Sequence, residues 1–132
     1  MASGLYDTGR AAFLAGDVDW AADNIKAVGV DTSDYTVNLA TDDFLDDVPA
    51  PSRVDTSANL SGKTVTAGVA DCDDITLTAV TGDTISALVI YKDTGAEGTS
   101  QLIAYIEAGP VTPNGTDIVF NVSDGADKLF KL

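Results

Sequence analysis

Two stretches of this chain are apolar on both faces: Ile85 to Tyr91 (Ile-Ser-Ala-Leu-Val-Ile-Tyr) and Leu102 to Ile106 (Leu-Ile-Ala-Tyr-Ile). A strand with one face in water alternates apolar with polar residues, so a strand that does not alternate has protein on both sides. The turn-rich link between them, Asp93 to Ser100, carries Gly95 and Gly98. This predicts an antiparallel hairpin at the middle of the core. The rest of the chain must then cover both of its faces.

The neighbouring segments suit that task. Ala27 to Val30 and Thr64 to Val69 read as strands, and Tyr35, Val37 and Leu39 alternate with Thr36, Asn38 and Ala40. Ile75, Leu77 and Ala79 face one side of a further strand over Ile75 to Val80, with Thr76 and Thr78 on the other. Ile118, Phe120 and Val122 form another alternating run, and Asp124-Gly125 turns the chain into a last strand from Lys128 to Leu132. Ahead of them, Leu5, Tyr6, Arg10, Phe13 and Leu14 fall at helical spacing over Gly4 to Ala15, with Ser3 as N-cap and Gly16 past the end. Phe44, Leu45 and Val48 among aspartates before Pro49 and Pro51 predict a short second helical turn. The expected fold is mainly β: an antiparallel β-sandwich or barrel-like domain with one N-terminal helix. Its 132 residues suit a single domain, with 1–24 as a helix and acidic-loop arm and 25–132 as the β core.

Composition excludes whole classes of function. The chain has 21 acidic residues, 19 of them Asp, against 7 basic ones, a formal charge of −14. Such a surface repels phosphate, so neither nucleic acid nor an anionic membrane is an expected partner. There is no histidine, which removes the Ser-His-Asp triad, the Cys-His pair and His-ligated metal sites. No Gly-x-Gly-x-x-Gly or phosphate-binding Gly-x4-Gly-Lys-Ser/Thr run occurs. No catalytic residues and no cofactor are therefore expected, and an enzyme is not the reading. The opening Met1 to Arg10 is polar, so synthesis and assembly in a host cytoplasm are expected, and the triplets at Asn59, Asn114 and Asn121 are not read as glycosylation sites. The lone Cys72 lies between Asp71 and Asp73, whose charge disfavours the thiolate, so an inert thiol is expected.

Two aspartate clusters, Asp42-Asp43-Asp46-Asp47 and Asp71-Asp73-Asp74, raise a calcium reading, because hard cations take carboxylate oxygens. Neither matches an EF-hand loop, and with 19 aspartates in the chain such groups arise as solvated surface, so no metal site is expected. Asp17 and Asp19 lack any sign of a sugar cleft between them. Of the nine aromatic residues, Trp20 alone sits in an acidic loop rather than on an inferred core face. It reads either as a lid over the N-terminal helix or as an interface anchor. Many short carboxylates hold water tightly and suit a saline medium or an exterior surface that must not adhere.

Several ordered blocks resemble a group of small tailed-phage virion proteins. They are Gly4-Leu5-Tyr6-Asp7-Thr8-Gly9-Arg10, Phe13-Leu14, Asp17-Val18-Asp19-Trp20 and the run Val30 to Thr41. Leu88 to Gly95, Leu102 to Ile106, Val111 to Gly115 and Gly125 to Leu132 continue the series to the end of the chain. The resemblance implies a structural protein of the virion, a decoration (cement) protein that binds the major capsid protein on the outside of the shell, with a homotrimer favoured. A neck or tail component remains an alternative, as does a receptor- or carbohydrate-binding fibre module in which exposed Trp20 and Tyr35 would stack on sugars. It carries no catalytic motif to transfer.

With −14 on every copy, contacts between chains are expected to be apolar, with the aspartates in solvent, and to strengthen as salt screens like charges. The candidate interface residues are Leu5, Tyr6, Phe13, Leu14 and Trp20 near one end of the chain, and Leu129, Phe130 and Leu132 at the other.

Overall fold

The central hairpin forms as its apolar pattern requires, and the other strands are laid beside it. The computed structural model describes residues 4–122 and 129–131. In chain order its elements are β1 (Gly4–Leu5), α1 (Asp7–Ala15), β2 (Ile25–Val30), β3 (Arg53–Thr56), β4 (Thr64–Thr66), β5 (Val69–Asp71), β6 (Ile75–Leu77), β7 (Ile85–Lys92), β8 (Leu102–Val111), β9 (Ile118–Phe120) and β10 (Phe130–Lys131). Two 3-10 turns, Leu45–Asp47 and Ala50–Ser52, stand where a helical turn was expected. A five-stranded sheet runs β1-β8-β7-β2-β3, a three-stranded one β10-β5-β4, and β6 pairs with β9. Every pairing is antiparallel. The fold is thus mainly β and sandwich-like, with one helix near the N-terminus, and the sheets do not close into a barrel. No helix among the described residues is long and apolar enough to cross a membrane.

Both faces of the large sheet are buried, which is why β7 and the first half of β8 do not alternate. One face presents Ile25, Ala27, Leu88, Ile90 and Ile103 to Ala12 of α1 and to Ala70, Cys72 and Ile75 of the smaller sheets and their connection. The other presents Val28, Val30, Val89, Tyr91 and Leu102 to Tyr6, Tyr35, Leu45 and Val48. Ile90 pairs with Ala104 and Tyr91 with Leu102, so Ile103 is an extra residue in β8. This bulge lets Ile103 and Ala104 both face the first cluster.

Several segments differ from expectation. Gly4 and Leu5 do not join the helix; they pair with Tyr105 and Ala104, because the outer edge of β8 offers backbone groups that must be satisfied. The helix starts at Asp7 after Tyr6, which makes no side-chain cap. Tyr35 to Leu39 alternates in burial but is not a strand. Its backbone is held instead by turns and by the Asp7 N–H on the Leu39 carbonyl, 2.8 Å. The strand expected over Thr64 to Val69 is a hairpin, in which Thr66 pairs with Val69 around Ala67 and Gly68. Ala79 is exposed with φ 49°, and Val80 turns inward in its place. β3, with only Val54 apolar, had no strand pattern to reveal it. Ser3, the Asp124-Gly125 turn and Lys128 lie outside the described residues.

Candidate functional site

Of the arm expected over 1–24, the described part, 4–24, packs into the core. Leu5 and Trp20 are 5% and 3% exposed, with Phe13, Leu129 and Phe130 partly buried against the same cluster, while Tyr6, 0% exposed, lies in the cluster on the other face of the sheet. Leu14 is 87% exposed. Leu132 lies outside the described residues.

Three of these residues, distant in sequence, meet at one place. The Phe130 ring stands edge-on to Trp20 at 5.1 Å and to Phe13 at 6.1 Å. The Trp20 indole N–H donates to the Asp71 carbonyl at 3.2 Å, which fixes the ring against β5. The loop carrying Trp20 is held by its own acids. Asp19 Oδ1 accepts the N–H groups of Ala21 and Ala22, and Asp23 Oδ2 accepts the Asp19 N–H at 2.8 Å. That N–H, followed by Lys92 at 3.2 Å, keeps the Asp23 carboxyl below the usual carboxylate range. Around the ring cluster lies an open groove of about 360 Å³, lined mainly by Phe13, Val18, Trp20, Val65, Ala70 and Phe130. Val65, 59% exposed, stands at its border. Among the described residues Asp19 is the lone charged residue in the lining. The groove can seat apolar groups, and its described walls offer no acid–base pair.

The Trp20 ring, read from the sequence as a lid or an interface anchor, packs against Phe130 and β5 and forms one wall of the open groove. Tyr35 is 4% exposed. The sugar-stacking role needed Trp20 and Tyr35 open to solvent, and neither is. Tyr35 instead donates to Asp42 Oδ2 at 2.7 Å and accepts the Tyr6 hydroxyl's proton at 2.8 Å. Asp42 also accepts the Asn38 N–H, and its carbonyl takes the Thr8 hydroxyl. Burial pushes both phenols far above their ordinary value. This network pins the irregular 31–43 segment to the start of α1.

The acidic clusters are rearranged by the fold. Asp43, Asp46 and Asp47 bring carboxylate oxygens within 4.8 Å of one another, as do Asp31, Asp34 and Asp83, a group the sequence does not show. Either could offer hard oxygen ligands to a cation. The Asp47 carboxylate beside it raises the Asp43 carboxyl, while Asp47 is lowered by the N–H of Asp43. The cluster at Asp71, Asp73 and Asp74 is divided: Asp73 takes the Ser61 hydroxyl at 3.2 Å, and Asp74 takes the Val122 N–H at 2.8 Å. Cys72 between them is buried, and burial followed by the charges of Asp71 and Asp73 pushes its thiol up to about 12, as an inert thiol requires.

Residues on Val18, Val65 and Ala70 completed the groove without any warning in the sequence, since only the β4–β5 hairpin carries Val65 and Ala70 to the helix end. No protein-family model and no curated protein matches this chain.

Proposed function

We propose that this chain is a structural protein of a tailed-phage virion, a decoration protein attached to the outside of the capsid shell. The observation that carries it is the ordered series of blocks from Gly4 to Leu132, which resembles small virion proteins along its whole length. The structure adds a compatible surface: an apolar groove on a molecule whose charge is otherwise −14. Decoration proteins bridge several shell subunits, frequently as symmetric trimers, so each contact can be modest. A groove that seats one or two side chains per copy suits that arrangement. Phe13, Trp20 and Phe130 would line the contact, and the tightly hydrated aspartates would keep the outer face from adhering. The test is co-sedimentation of the purified protein with capsids assembled without it. Saturable binding at a whole-number ratio to the major capsid protein is expected. Failure to bind capsids, with binding to isolated tails instead, would place the chain in the neck or tail.

A further inference from the structure

Among the described residues Asp19 is the charged residue that lines the groove beside α1, with Asp17 two residues before it, both exposed, and no lysine or arginine among them lines it. Cations among the described residues are engaged elsewhere. Lys63 donates to the Asp23 carbonyl, Lys92 pairs with Asp23 at 3.2 Å and donates to the Asp17 carbonyl, and Arg10 pairs with Asp7 at 3.1 Å. Lys131 lies along a different hollow, with Leu5 and Tyr105. The Trp20 N–H is already donated to Asp71, so the groove asks an occupant for apolar contact at its centre and positive charge at its rim.

We propose that the groove is a docking site for a segment of another protein that offers one or two large apolar side chains bordered by lysine or arginine. A cavity of about 150 Å³ accepts one benzene-sized group, so 360 Å³ in an open groove has room for about two. A second copy of this chain is the wrong occupant, because it would set its own −14 against the same acidic rim, and like charges brought together at an interface oppose binding. The inference does not depend on which particle the chain belongs to. It also divides the salt dependence expected from net charge alone. Contact between copies still strengthens with salt, whereas docking in this groove weakens, because opposite charges meet at its rim.

Trp20 is the one tryptophan in the chain, so its fluorescence reports occupancy directly. The probe is a synthetic peptide with one leucine and one phenylalanine flanked on each side by two lysines, titrated into the full-length protein. Saturable fluorescence change is expected. Replacing both apolar residues of the peptide by serine should weaken binding roughly tenfold or more. Raising NaCl from about 0.05 to about 0.5 M should weaken it by a similar factor. Val65→Lys sets like charge against the peptide's lysines at a lining position already 59% exposed and should abolish docking; Val119→Lys, 54% exposed in β9, should leave it nearly unchanged. General attraction of a polycation to an acidic protein predicts an equal effect for the two variants, and undiminished binding by Val65→Lys or by the serine peptide would overturn the proposal. So would a stable dimer in sedimentation at low salt whose Trp20 is insensitive to the peptide.

Discussion

Gly9 lies where α1 passes close to the backbone of β8. A Cβ built there would lie 2.6 Å from the Leu102 carbonyl oxygen and 3.0 Å from Ile103 Cα. In an open helix, replacing glycine by alanine gains up to about 1 kcal/mol. Forcing a methyl group against backbone costs about 1–3 kcal/mol, and backbone atoms cannot swing aside as a side chain can. Gly9→Ala is therefore expected to destabilise by about 1–2 kcal/mol net. A urea midpoint at or above that of the parent would show that the helix rides farther from β8. A second consequence concerns pH. Cys72 and the Tyr6–Tyr35 pair all hold their protons more tightly when folded. The unfolded chain releases these protons first, so their stabilising contribution is whole below the unfolded values, about 8.5 for Cys and 10 for Tyr, and is lost as pH climbs beyond them. Denaturant midpoints should fall between about pH 8 and pH 11, and Cys72→Ala should reduce that fall. A flat profile over this range would contradict the buried placement of these groups.

The strands that the sequence revealed are those whose side chains alone decide their state. β7 and β8 carry unbroken apolar runs, and only burial on both faces accommodates them. The β4–β5 hairpin was hidden because its turn is Ala67-Gly68, with φ of 52° and 80°, instead of the Asn-Gly or Asp-Gly pair that announces such turns. Ala67 pays for that conformation, since a left-handed residue other than glycine costs about 1–2 kcal/mol and asparagine tolerates it better. Ala67→Asn is thus expected to stabilise the protein by about 0.5–1 kcal/mol, read as a higher melting temperature. A lower one would mean that the turn is not as described. The segment from Tyr35 to Leu39 misled in the other direction. Its alternation reflects Tyr35 packing edge-on to Tyr105 at 6.4 Å and the Tyr35–Asp42 hydrogen bond, without any partner strand. Phe13, Trp20 and Phe130 could each be singled out as large rings near the chain ends. Their meeting could not, because it depends on β10 pairing with β5, a contact between residues far apart in sequence.

Taken as one body, the protein is a small β-sandwich with a doubly covered central sheet, an apolar groove at one end of its helix, and a great excess of carboxylates over cations. Among the described residues four side-chain ion pairs are formed, by Arg10, Lys26, Arg53 and Lys92. They neutralise most of the positive charge within the chain and leave its outer field negative. A negative field of this kind opposes contact between copies, and the proposed docking of an apolar segment with compensating charge would suit the proposed attachment to a shell at many equivalent points. Attachment of that kind fixes a copy number, and quantitative mass spectrometry of purified particles, with the major capsid protein as internal standard, counts it. The decoration role predicts many copies per particle in whole-number ratio to the capsid protein. About six or twelve copies per particle, as a single ring of a symmetric neck or tail would hold, would contradict it.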